Sequence, residues 1–137
     1  MKKGQKVWSF KPEKPPKPKV SDKLKIEVET KARDLIESFL KPIHVKTAPE
    51  DNDRIYVVDI YSGWIRNFFY FYSKYHCRAP NCIAPFFETK FARIEYAGRD
   101  LFNLSYMRHT EQWFKLYNDL SLEECLTVIK DDPHFLP

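Results

Sequence analysis

The sequence predicts an α+β domain: about five strands in an antiparallel meander, with an N-terminal and a C-terminal helix packed on one face. Three observations carry this. An apolar stripe of helical spacing stands near each end of the chain. Between the stripes lies a long β-branched and aromatic stretch that alternates in polarity. The connections within that stretch are short, which favours neighbouring strands running antiparallel and both helices returning to the same face.

The first helix follows Ser21, a suitable N-cap. Leu24, Val28, Ala32, Leu35, Ile36 and Phe39 recur at intervals of three and four residues, and Pro42 is expected to end the run. "HVKTAPEDND" reads as a loop. "RIYVVDIY" alternates and opens the sheet, with Ser62 and Gly63 as a turn or a bulge. "WIRNFFYFYSKY" reads as one further strand, "HCRAPNCIAP" as a connection and "FFETKFARIEY" as the next strand. Ala97 to Asp100 make a turn. "LFNLSYMRH" and "QWFKLY" form a hairpin closing around Thr110 and Glu111. The last helix starts at Ser121, three residues before Glu124, the spacing of a capping box. Leu122, Cys125, Leu126 and Ile129 make its buried face, and Asp131, Asp132 and Pro133 stop it.

Before this domain, residues 1–20 read as a flexible Lys/Pro-rich arm, leaving 21–137 as a single domain. "KPEKPPKPKV" alternates cations with residues that lack an amide donor, which suits an extended, solvated rod. The charge is divided accordingly. Residues 1–25 hold nine lysines against Glu13 and Asp22, a balance of +7. The remaining residues hold 14 basic and 17 acidic side chains, a balance of −3. The net charge of +4 is therefore an arm on a mildly acidic body.

The composition excludes several classes. Three glycines in 137 residues leave no glycine-rich phosphate loop. The apolar run "FFYFY" is far too short to span a bilayer and is flanked by Arg66 and Lys74, so no membrane association is expected. The N-terminus lacks the apolar core of a secretory signal, which makes the cytoplasm the expected location. Cys77, Cys82 and Cys125 are an odd number, and reduced thiols are expected.

The second half of the chain resembles a bacterial family of small domains, domain of unknown function 3024. The resemblance rests on Ala92, Ile94 and Tyr96 in one strand and on Leu104, Tyr106, Met107 and Arg108 in the next. It extends to Trp113 and Tyr117, then Asp132 and Pro133 after an acidic capped helix, and spans roughly residues 28–135. It implies a fold and a bacterial origin. The family carries no established activity, so it implies no function. "HCRAPNCIAP" and the Lys/Pro arm depart from its pattern.

Four places are candidates for function. Lys2, Lys3, Lys6, Lys11, Lys14, Lys17 and Lys19 can neutralise phosphates, and Trp8 can stack on a base; nucleic acid or a ribonucleoprotein is the partner expected of the arm. "PEKP" and "PPKP" also fit a proline-rich ligand, and a plain solubility tail is the simplest alternative. Counting along "WIRNFFYFYSKY" places Trp64, Phe68, Tyr70 and Tyr72 on one face with Arg66 interleaved, and Ile65, Phe69 and Phe71 on the other. The first face is expected to be an aromatic interaction surface for a protein partner, for a second copy of the chain, or for bases, or else to be covered by the arm or by loops; the basic-Gly-aromatic motif of an RNA-recognition sheet is absent. His76, Cys77 and Cys82, with Cys125 or His109, have the residue types of a zinc site but lack the second Cys pair. No metal is expected, and a Cys77–Cys82 bridge is the alternative to free thiols in an oxidising compartment. Arg108, His109, Glu111 and Tyr106 cluster at the last hairpin, but adjacent strand residues point to opposite faces. No catalytic residue, no cofactor and no enzyme is expected.

Overall fold

The computed structural model describes residues 18–47, 50–52 and 54–137. The chain forms an α+β fold of one five-stranded antiparallel sheet and two helical segments. Strands β1 (Ile55–Ile65), β2 (Phe68–Cys77), β3 (Phe86–Gly98), β4 (Leu101–Met107) and β5 (Trp113–Leu120) lie side by side in chain order.

Helix α1 (Asp22–Leu35) is capped by Ser21, whose hydroxyl accepts the Leu24 amide at 3.1 Å. The helical path does not stop before Pro42. It widens through a π-helical turn, Ile36–Leu40, and continues as α2 (Lys41–His44). The Lys41 amide reaches back five residues to the Ile36 carbonyl. A proline normally clashes with the carbonyl four residues earlier and has no amide to give it; a wider turn immediately before Pro42 relieves that conflict. Helix α3 (Leu122–Asp131) begins with the expected capping box: Glu124 N donates to Ser121 Oγ at 3.1 Å, and Ser121 N to Glu124 Oε1 at 2.9 Å.

Val28, Ala32, Ile36 and Leu40 from the first helical segment and Leu122, Cys125 and Ile129 from α3 pack on the same side of the sheet. They meet Ile60, Phe69, Phe71, Ala92, Ile94, Phe102 and Leu104, all essentially inaccessible to solvent. Phe135, in a short 3₁₀ turn after α3, completes this core. Lys31 joins the two helices on the surface by pairing with both Glu27 and Glu123; such exposed pairs add little stability.

The first hairpin differs from the sequence expectation. Ser62 and Gly63 are not a turn; they lie within β1, opposite Phe71 and Tyr70. The chain reverses instead at Arg66–Asn67, with Ile65 opposite Phe68 and Arg66 at φ 55°. Thus "WIRNFFYFYSKY" is the end of one strand and the start of the next. At the C-terminal end of β3, beside that reversal, Gly98 takes φ 94° at a bulge, and the two-residue turn Arg99–Asp100 has positive φ at both positions, the geometry that matches sheet twist. Pro18 lies against Gly98 and Val20 is buried, which places the first described residues at this end of the sheet.

Candidate functional site

A two-residue turn resets the alternation of faces. Residues directly opposite in a hairpin share a face, and Trp64 lies opposite Phe69, not in step with Phe68. Trp64 is therefore a correction to the expected aromatic surface. Its ring stands on the helix side, edge-on to Phe69 at 5.2 Å, and its Nε1 donates to the Lys25 carbonyl of α1 at 3.2 Å. Ile65 changes sides with it and is exposed beside Phe68. Arg66 occupies the turn itself and is exposed.

Phe68, Tyr70 and Tyr72 do lie together on the sheet face away from the core. Register extends this face across the other strands. Tyr61 of β1 is opposite Tyr72; Lys90 and Arg93 of β3 are opposite Tyr72 and Tyr70; Lys115 of β5 is opposite Ser105. Trp113 reaches over from β5, its ring 5.7 Å from that of Tyr70. Tyr61, Lys90, Arg93 and Trp113 were not singled out from the sequence. The signal for them is pairing, since each becomes a neighbour of Tyr70 or Tyr72 only through sheet register. The Tyr61 hydroxyl donates to Glu88, and burial followed by that carboxylate pushes its ionisation well above the ordinary tyrosine range. Burial and the neighbouring Tyr70 likewise raise Tyr72, so both phenols stay neutral donors at physiological pH.

The arm candidates divide. Lys19 is described and exposed. Lys2, Lys3, Lys6, Trp8, Lys11, Lys14 and Lys17 lie outside the described residues.

At the opposite end of the sheet, Cys77 and Cys82 form a disulfide rather than the free thiols expected. The loop they close is also held by backbone: Cys77 N donates to the Pro85 carbonyl at 2.7 Å and Arg78 N to the Arg54 carbonyl at 2.7 Å. Cys125 sits in the core, where burial pushes its thiol pKa up to about 12; it is neither a fourth ligand for that loop nor a reactive nucleophile. Among the described residues no group of three His, Cys, Asp or Glu side chains is placed to hold a metal. His109 and Glu111 are both exposed at the β4–β5 turn, where Glu111 takes φ 62° and its amide donates to the Arg108 carbonyl. No described helix is long and apolar enough to cross a membrane.

One polar cluster lies where the chain ends. Asp132 caps the 3₁₀ turn through the His134 amide at 2.9 Å, pairs with His134 Nδ1 at 2.7 Å and accepts from the Tyr117 hydroxyl at 3.1 Å. His134 in turn lies 4.8 Å from the Tyr106 ring. Partial burial alone would raise the Asp132 carboxyl, but the His134 amide and ring and the Tyr117 hydroxyl outweigh it and hold it below the ordinary value of 3.8. A depressed carboxyl contributes stability above its unfolded pKa and loses it as pH falls through the folded one. The turn around Phe135 is thus expected to stay closed down to about pH 4 and to open below it. Hydrogen exchange at the His134 amide checks this. A protection that is already lost near pH 6 contradicts it, and Asp132→Asn is expected to flatten the dependence.

The sequence matches the family described as domain of unknown function 3024 over residues 20–137, and the chain belongs to that family. No curated protein and no solved structure matches it.

Proposed function

We propose that this member of the domain of unknown function 3024 family is a non-catalytic nucleic-acid-binding module, acting on free nucleic acid or within a ribonucleoprotein. The arm lysines contact phosphates, and the outer sheet face is a second contact. The observation that carries this reading is the charge of that face. The chain beyond residue 25 carries −3 overall, yet the outer face gathers Lys74, Lys90, Arg93 and Lys115, with Arg66 at the turn beside it, against Asp59, Glu88 and Glu95. Its cations are interleaved with aromatic rings, the combination that single-stranded nucleic acid selects. Because Pro18 lies against Gly98, the first described residues stand at the end of the sheet that carries Arg66.

Self-association through the same face is the second reading. It is weaker on electrostatic grounds, since a twofold contact sets this cation-rich surface against itself, and like charges across an interface oppose association. In the cytoplasm, the compartment this reading implies, the thiol pool keeps a pair such as Cys77–Cys82 reduced. Neither cysteine belongs to the rows of rings and cations, so the contact does not depend on that pair.

Anisotropy titrations of the full chain against labelled single- and double-stranded oligonucleotides, over a salt series, test the proposal. Binding that weakens steeply with salt is expected, with sedimentation showing a monomer. A dimer at micromolar concentration with no salt-sensitive binding moves the assignment to self-association.

A further inference from the structure

The rings and cations of the outer face form rows across the strands, and the rows decide which part of a nucleic acid the face meets. In one row, Tyr72 stands between Tyr61 on β1 and Lys90 on β3. Tyr61 stacks on it at 4.7 Å with the planes 9° apart. The Lys90 ammonium lies 5.9 Å from the Tyr72 ring and 4.5 Å from the Tyr70 ring. Since β1 and β3 flank β2, Tyr72 has a neighbour on each side.

In the next row, Arg93 is opposite Tyr70 on one side and Ser105 on the other. Ser105 is small and buried, which leaves room for Trp113 to lean inward from β5. The Arg93 guanidinium carbon lies 4.6 Å from the Phe68 ring and 4.9 Å from the Trp113 ring. Its Nε is buried beneath them without a hydrogen-bond partner among the described residues.

These rings have already committed their π faces to one another and to cations. A base stacking on Tyr72 must displace Tyr61 or Lys90; one entering between Phe68 and Trp113 must displace Arg93. Cations held over rings, by contrast, have lost much of their rotamer freedom in advance, so an anion binding them costs less ordering. A clamped guanidinium is also a flat fork suited to a phosphate, and Lys90 adds a point charge beside it.

We propose that the outer face grips the phosphodiester backbone through Lys90 and Arg93, with the bases directed away from the sheet. This rests on the nucleic-acid reading above and narrows it: the face recognises the strand without regard to base identity, and the rings serve to hold the cations in place.

The test is anisotropy with the full chain carrying Trp8→Ala, which removes the arm's own stacking ring, comparing a labelled oligothymidylate with an abasic phosphodiester oligomer of equal length. The two are expected to bind within about threefold of each other, less than the loss from a single stacked base. Lys90→Gln with Arg93→Gln is expected to weaken both oligomers together and to reduce the slope of log K against log salt by about 1.4, or 0.7 per lost single-strand contact. An unchanged far-UV spectrum and melting temperature exclude misfolding as the cause. If the abasic oligomer binds about tenfold or more weakly, bases stack on the face and the inference fails while the nucleic-acid reading stands. An unaltered salt slope in the double variant also overturns it, because the arm alone then carries the contact. If the wild type binds neither oligomer, the nucleic-acid reading itself falls.

Discussion

Phe69→Ala is expected to cost about 3–5 kcal/mol of folding stability, and Tyr70→Ala, one residue along the same strand, no more than about 1–2 kcal/mol. Phe69 is fully buried, edge-on to both Trp64 and Phe71, and lies on the side where α1 and α3 pack. Truncation there leaves a cavity between two layers that cannot both move in. Tyr70 stands on the outer side among Lys90, Trp113 and Phe68, where water can enter the space it vacates. Thermal or urea unfolding of the two variants reads the difference directly. A domain of this kind has total stability on the order of 5–15 kcal/mol, so the Phe69 variant loses a large share of it. Equal costs would show that the outer face is also buried in solution. In that case the midpoint should rise with protein concentration, as it does for a dimer, and the second functional reading would gain.

The fold was legible because its signals are local and repeated. The α1 stripe, the capping box at Ser121 and Glu124, and the alternating strands each announce themselves within a few residues. Two features were less legible, for separate reasons. Pro42 looks like a stop because a proline conflicts with a regular α-turn; the π-helical turn before it removes the conflict, and nothing in "IESFLKP" distinguishes the two outcomes. Ser62–Gly63 looks like a turn because both residues favour one, while the actual turn at Arg66–Asn67 asks an arginine to hold positive φ. That single misplacement moved Trp64 to the wrong face, because one register shift exchanges core and solvent sides throughout a strand. The site was less legible than the fold for a related reason. Tyr61, Tyr72, Lys90, Arg93 and Trp113 come from four strands, and only long-range pairing makes them neighbours.

Replacing Lys2, Lys3, Lys6, Lys11, Lys14 and Lys17 by serine in the full chain is expected to remove most of the affinity for nucleic acid. Each lysine that neutralises a single-strand phosphate adds about 0.7 to the salt slope, so six engaged lysines account for about 4. Extrapolated from molar salt, where counterion release contributes little, to about 0.15 M, that slope corresponds to roughly a thousandfold in affinity. The body cannot make up such a loss: its balance beyond residue 25 is −3, and several of its cations, Lys31, Lys41 and Lys130 among them, lie on the helical side away from the outer face. Keeping Trp8 in this variant separates charge from stacking, and Trp8→Ala alone is expected to cost about tenfold if the indole stacks on a base. The two contacts also differ in what they require of the ligand. Lysines spread along residues 2–17 can meet phosphates at many spacings, whereas Lys90 and Arg93 are fixed by the rings beside them and engage phosphates at one spacing. Once Lys19→Ser is added to the lysine variant, its salt titrations therefore report the outer face by itself. A residual slope of about 1.4 assigns the remaining affinity to that pair, and a slope equal to the wild type's shows that the arm makes no phosphate contact.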